Sequence, residues 1–152
     1  EIAERILIEF DGDKIFVDGE NMTKIIRGTD VNAAVSEVSA NTGVRAVMRR
    51  RQRAWARARG GGVLEGRDIG SVVFPNARLK VYVTATPEER AKRRSLESGR
   101  TIEDITKEIL GRDAKDSTRI DSPLVADSEA IIIDTTGKTI EETSDFIQKL
   151  FR

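Results

Sequence analysis

Apolar and polar positions alternate most clearly from Leu79 to Ala85 (LKVYVTA), a β-branched and aromatic run that predicts a strand. Thr86-Pro87-Glu88-Glu89 follows at once and predicts a helix start. Thr86 is the cap and Pro87 the first helical residue, and the Thr hydroxyl and Glu89 carboxylate are placed to satisfy orphan backbone donors. Strand, short turn and capped helix make an α/β signature. Upstream, Val63-Leu64 predict a strand near Val63 leading into Gly66-Arg67-Asp68-Ile69-Gly70. A glycine on each side there permits a sharp turn and close approach to a ligand, with Arg67 and Asp68 at the mouth of a sheet.

The rest of the chain reads the same way. Ile6 to Phe10 (ILIEF) and Ile15 to Val17 (IFV), separated by Asp11-Gly12-Asp13-Lys14, predict an antiparallel hairpin. Ile25-Ile26 would add a third short strand. Thr29 would cap a helix from Asp30 to Ala40 with Val31, Ala34, Val35 and Val38 at helical spacing. A second helix is expected from Thr42 to Arg59, burying Val44, Val47, Met48 and Trp55 and ending at Gly60-Gly61-Gly62. The helix opened by Pro87 should break at Ser98-Gly99, with Thr101 and Asp104 forming another capping box ahead of an apolar face of Ile102, Ile105, Ile109 and Leu110. Ser122-Pro123 turns the chain, and Ala130 to Asp134 (AIIID) reads as a buried strand. Thr139 opens a last helix whose Ile140, Phe146, Ile147, Leu150 and Phe151 face inward. The last two strands each lead into a capped helix, which predicts a parallel sheet covered by helices.

Composition narrows the chemistry. The 152 residues suffice for a sizeable core, and 38% hydrophobic residues are ordinary for a soluble globular protein. No long apolar run predicts a membrane span, and nothing resembles a signal or transit peptide, so a cytoplasmic location is expected. Cysteine and histidine are absent, which excludes disulfides, thiolate chemistry, a His/Cys zinc site and a Ser-His-Asp triad. Any chemistry falls to carboxylates, arginines, lysines, hydroxyls and backbone. Basic and acidic residues balance at 26 each, so no overall field selects an acidic partner.

The charge is unevenly distributed. Arg45, Arg49, Arg50, Arg51, Arg53, Arg57 and Arg59 crowd one predicted helix, as a solvated face, an anion pocket or a nucleic-acid patch. Arg112, Asp116 and Arg119 fall at i, i+4 and i+7, placing two guanidiniums and a carboxylate on one side of a helix. That trio is either a surface salt-bridge ladder or a clamp for a phosphorylated sugar, because arginine forks match phosphate oxygens and a carboxylate accepts from ribose hydroxyls. Ser36 lies off the centre of its helix stripe, where a solvated hydroxyl is ordinary. The triple glycine lacks a following Gly-Lys-Ser/Thr, and the sequence contains no P-loop.

The stretch Gly66-Arg67-Asp68-Ile69-Gly70-Ser71-Val72-Val73-Phe74-Pro75, with the later Arg112-Asp113-Ala114-Lys115-Asp116-Ser117-Thr118-Arg119, resembles bacterial cytidylate kinases. Counterparts of Ile26-Arg27, Asn32-Ala33-Ala34, Arg45 and Thr86-Pro87-Glu88-Glu89-Arg90 occur in the same order, so the resemblance covers nearly the whole chain. It implies a P-loop NTPase-like α/β fold, a parallel sheet flanked by helices, with a small α+β nucleoside-monophosphate-binding subdomain at residues 1–62. Residues 63–152 would form the core part, including a lid at about 94–112. The implied activity is phosphoryl transfer from ATP to CMP or dCMP, giving CDP or dCDP in pyrimidine nucleotide metabolism. Magnesium would accompany ATP, and the protein would act as a monomer without nucleic-acid or membrane partners.

The resemblance also implies roles for individual residues. Ser36, Arg45 and Asp68 would contact the cytosine, Arg67 and Arg119 the CMP phosphate, and Arg112 with Asp116 the pentose. Arg93, among the basic residues from Arg90 to Arg100 that resemble a mobile lid closing over the donor phosphates, would act as the catalytic arginine. Family members carry a strand, a P-loop and its helix ahead of the position of Glu1. The expectation is therefore a fragment or an incomplete chain, inactive alone, with apolar sheet surface left uncovered. A noncatalytic nucleotide- or nucleic-acid-binding module, and a kinase for another monophosphate such as UMP, remain the alternatives.

Overall fold

The computed structural model describes residues 2–118, 120–121 and 123–152, the side chain of Ser36 apart. The chain divides into two compact units between Gly62 and Val63.

In the first unit, helix α1 (Ile2–Arg5) precedes three antiparallel strands, β1 (Ile8–Asp11), β2 (Lys14–Val17) and β3 (Glu20–Asn21). Ile8 lies opposite Val17, and Phe16 opposite Asn21. The expected hairpin is present, turning at Gly12 with φ of +55°. The expected strand at Ile25-Ile26 is not: Ile25–Arg27 is a 3-10 turn, and the third strand is β3. The reason is where the ladder runs out. Met22 N donates to Ile15 O at 2.9 Å and Ile15 N donates to Thr23 Oγ1 at 2.9 Å, after which Ile26 N turns back onto Met22 O at 3.0 Å.

Helix α2 (Thr29–Ala40) is capped by Gly28, not by Thr29 as its sequence suggested. Gly28 N closes the 3-10 turn on Ile25 O at 2.9 Å, so the extended break between turn and helix falls one residue early. Asn41 then separates α2 from α3 (Thr42–Ala58), and its Oδ1 accepts from Val44 N at 3.1 Å as a side-chain cap. Val47 and Ala56 are the buried residues of α3. Trp55, expected inside, is 36% exposed, with its ring under the Arg59 guanidinium at 4.3 Å. Two further arginines of this helix fasten the start of the chain. Arg51 NH2 donates to Glu4 O at 2.9 Å and to Ile6 O at 2.6 Å, and Arg50 pairs with Glu4 at 3.4 Å.

The second unit holds a parallel two-stranded sheet flanked by helices. Strands β4 (Val81–Thr84) and β5 (Ile131–Asp134) pair in register from Val81 opposite Ile131 to Thr84 opposite Asp134. No strand forms near Val63, which is 98% exposed, because no backbone among the described residues runs beside it to complete a ladder. Helix α4 (Pro87–Ser98) starts at the Thr86 cap, whose Oγ1 accepts from Glu89 N at 3.2 Å. Only half of the expected box is made, since the Glu89 carboxylate accepts from Arg93 Nε at 3.0 Å and Thr86 N donates to Thr136 Oγ1 at 3.1 Å. Gly99, with φ of +69°, ends the helix in the left-handed region, its N–H on Ser95 O at 2.8 Å.

Helix α5 (Ile102–Ser117) packs on α4 around Ala91, Ile105 and Ile109. Of the four apolar residues expected to face inward, Ile105 and Ile109 do so, while Ile102 and Leu110 are exposed. One helical turn separates the buried pair, and α4 covers that stripe alone. Helix α6 (Ile140–Phe151) has the full capping box: Glu142 N donates to Thr139 Oγ1 at 3.1 Å and Thr139 N to Glu142 Oε2 at 2.8 Å. None of its residues is buried, and Ile140, Phe146 and Phe151 are exposed against expectation, with Ile147 and Leu150 half-buried. Strand β5 departs similarly, since Ile133 is buried but Ile131 and Ile132 are exposed. A parallel strand is buried on both faces only inside a wider, helix-covered sheet, and among the described strands β5 has β4 alone as neighbour.

Candidate functional site

The second unit gathers a charged cluster from three places in its sequence. Arg67 and Asp68 stand at the entry to a π-type turn, Ile69–Val73, in which Asp68 O accepts from Val72 N at 2.9 Å and Val73 N at 3.2 Å. A Cβ at Gly66 would lie 2.9 Å from Ile69 Cγ1, so a larger residue there would have to displace that side chain. Helix α4 contributes Arg90, and α5 contributes Arg112, Asp113 and Asp116, the two carboxylates one turn apart on one face.

Asp113 bridges two arginines. Its Oδ1 accepts from Arg67 NH1 at 3.1 Å and its Oδ2 meets Arg90 NH1 at 2.6 Å. Asp116 is buried, with Arg67 Nε at 3.4 Å and Arg112 Nε at 3.7 Å from its Oδ2. The backbone carbonyl of Asp116 also accepts from Leu124 N at 2.9 Å, strapping the following segment to the end of α5. The guanidiniums of Arg67, Arg90 and Arg112 are shared between the Asp113 and Asp116 carboxylates, and planar N–H forks are suited to phosphate oxygens.

Arg67, Arg112 and Asp116 come together, and Asp68 begins the same turn. Arg45 lies on α3 in the other unit, where its NH1 donates to Ser39 O at 3.1 Å. The Ser36 side chain and Arg119 lie outside the described residues. Arg93, on α4, is bonded to Glu89 at 3.0 Å, to Thr135 Oγ1 at 3.2 Å and to Thr135 O at 2.6 Å.

Arg90 and Asp113 were not singled out from the sequence. The available signal was spacing: Asp113 precedes Asp116 by three positions in a predicted helix, and so shares its face.

A second cluster also escaped the sequence reading. Lys80 is nearly buried at the start of the β4 segment, its Nζ 2.7 Å from Glu129 Oε2 and 3.1 Å from Asp127 Oδ1. Its stem lies beneath Gly70, where a Cβ would sit 3.5 Å from the lysine Cδ. The Glu129 hydrogen bond, then Asp127, raise the Lys80 ammonium above its usual range against the opposing cost of burial. Asp127 is held below the usual carboxylate range, first by the Glu129 backbone N–H and then by Lys80. Between α4 and α5, Glu108 is likewise lowered by hydrogen bonding to Arg100, with Arg94 adding to the field.

Among the described residues no group of three or more histidines, cysteines, aspartates or glutamates gathers to hold a metal ion. No helix among them is long and apolar enough to cross a membrane.

A parallel sheet flanked by helices, with arginines and carboxylates converging from a glycine-bounded turn and a helix, has the nucleoside monophosphate kinase fold. A family model described as cytidylate kinase matches residues 1–152, and the chain belongs to that family. It is 44% identical to a protein named cytidylate kinase from Limosilactobacillus fermentum, over 97% of this chain and 69% of that relative. Against the cytidylate kinase of a Geobacillus species it is 46% identical, over 91% of this chain and 64% of the relative. The corresponding protein of Enterococcus faecalis is 44% identical, over 93% of this chain and 64% of the relative. The chain therefore spans between 64% and 69% of the length of these relatives.

Proposed function

We propose that the chain supplies the acceptor site for phosphoryl transfer from ATP to CMP or dCMP. The observation that carries this reading is the convergence of Arg67, Arg112 and Asp116 in one cluster, in a chain of this family. Arg67, with Arg119, holds the acceptor phosphate. Arg112 and Asp116 meet the pentose hydroxyls, one as donor and the other as acceptor. Asp68, with Ser36 and Arg45, reads the cytosine edge, where a carboxylate accepts from the exocyclic amino group. Residues 1–62 serve the monophosphate and residues 63–152 form the core. Arg93 neutralises charge on the transferred group, released from Thr135 when donor phosphates arrive. Phosphoryl transfer needs little beyond in-line positioning and charge neutralisation, so a side-chain inventory without histidine or cysteine suits it. Magnesium, when present, travels with the ATP phosphates.

The test is calorimetric titration of the chain with CMP, dCMP, UMP and a single-stranded oligonucleotide, alongside ATP-dependent ADP release with each monophosphate. CMP bound at least about tenfold more tightly than UMP, a difference near 1.4 kcal/mol, is expected. Equal binding of CMP and UMP would overturn the cytosine assignment. Oligonucleotide binding with a steep salt dependence and no mononucleotide preference would make the chain a nucleic-acid-binding module instead.

A further inference from the structure

Arg67 cannot serve a phosphate freely while it is pinned between two carboxylates, and the geometry indicates how that conflict is relieved. Its Nε faces Asp116 and its NH1 donates to Asp113 Oδ1 at 3.1 Å. The other oxygen of Asp113 is paired with Arg90 NH1 at 2.6 Å, a shorter contact than the one to Arg67. Arg90 belongs to α4, whereas Arg67 precedes the π-type turn and Asp113 sits on α5, so one carboxylate joins three segments. Arg90 is half-buried, and its Nε is buried without a hydrogen-bond partner among the described residues, while its NH1 is compensated by the Asp113 carboxylate.

We propose that Arg90 is a positioning residue for the acceptor phosphate: by neutralising Asp113 it weakens the hold of that carboxylate on Arg67 and leaves the guanidinium available to the incoming anion. This rests on the reading that Arg67 holds the acceptor phosphate. Without Arg90, the full charge of Asp113 falls on Arg67 and competes with phosphate for the same donors. Arg90 needs no contact with the nucleotide, since its effect passes through Asp113.

The prediction has a signature that a purely structural role would not produce. Arg90→Met should weaken CMP binding about tenfold while leaving cytidine, which lacks the phosphate, within about twofold. Adding Asp113→Asn to Arg90→Met should restore most of the CMP affinity, because the competing charge is then gone. Arg90→Lys, which keeps the charge, should stay within about threefold of the parent chain. Binding is read by calorimetry on the 152-residue chain, with circular dichroism confirming that each variant is folded. If Arg90→Met does not fold, Arg90→Gln replaces it, with the same CMP-selective loss and the same rescue expected.

Equal losses for CMP and cytidine, or a double variant no better than Arg90→Met, would overturn the inference. A parent chain that fails to prefer CMP over cytidine would remove the acceptor reading and this inference with it. A parent chain that prefers CMP, together with an Arg90→Met variant that binds CMP unchanged, would overturn the inference alone.

Discussion

Arg93 holds both oxygens of Thr135, donating from NH1 to the hydroxyl at 3.2 Å and from NH2 to the carbonyl at 2.6 Å. The same guanidinium takes Glu89 through Nε at 3.0 Å, so it links α4 to the segment that follows β5. Arg93→Met should therefore cost about 1–2 kcal/mol of unfolding free energy, the usual loss for charge-assisted hydrogen bonds that are partly exposed to solvent. Urea denaturation measures it. An unchanged midpoint combined with lost phosphoryl transfer would place the working role of Arg93 on the donor phosphates alone.

Asp68 opens the π-type turn, and its proposed partner is the cytosine amino group. Asp68→Ala should weaken CMP binding by roughly 1–3 kcal/mol and affect UMP less, since uracil offers an acceptor at that position and not a donor. Titration with both nucleotides decides it. Unchanged CMP affinity would reject the assignment.

Lys80, Asp127 and Glu129 give the stability a pH signature whose direction follows from the shifts. The Lys80 ammonium is raised above its ordinary value of 10.5, so its contribution is full below that value and is lost as pH rises through the folded-state value. Asp127 is lowered below 3.8, so its contribution is full above that value and is lost as pH falls through the folded-state value. Lys80→Met should thus destabilise the chain by an amount that is flat from about pH 5 to about pH 9 and shrinks beyond both ends. Denaturation series across pH on both proteins provide the comparison, and a destabilisation that peaked near either extreme would contradict the triad.

Gly99 carries φ of +69°, and a Cβ there would meet nothing within 4 Å. Gly99→Ala should cost about 1 kcal/mol through backbone strain alone, and Gly99→Asn less, because asparagine tolerates the left-handed region. Thermal midpoints of the three proteins test this, and an alanine variant as stable as the parent would mean that the helix end relaxes to another cap.

What the sequence made legible was mostly local. LKVYVTA, the Thr86-Pro87 start, the Ser98-Gly99 break and the helix start at Thr139 depend on neighbours within four residues, and each is present in the structure. Misreadings arose where tertiary surroundings decide. Ile25-Ile26 has strand composition, but Thr23 closes the ladder first. Ile140, Phe146 and Ile132 have core composition yet are exposed, because amphipathic spacing states which side of an element is apolar and not whether anything covers it. At the candidate site, helical spacing brought Arg112 and Asp116 together on paper. The contacts of Arg67 with Asp113, and of Lys80 with Asp127, join residues far apart in sequence that no period connects. Arg90 stands out in the sequence only as part of a helix start and of the basic Arg90 to Arg100 stretch, because a lone arginine in a first turn has no distinguishing pattern.

Parallel pairing cannot be closed by a tight turn, so β4 must wait for β5 to return from the far side of two helices. The core formed by Ala91, Ile105 and Ile109 comes from residues close in sequence and is the cheaper contact to make early, since less chain entropy is lost in closing it. The α4–α5 pair is then expected to form first and to shorten the remaining loop before the sheet zips. Truncating Ile105 would accordingly slow refolding and leave the unfolding rate nearly unchanged, and the charged cluster on these helices would be among the first parts of the second unit to take shape.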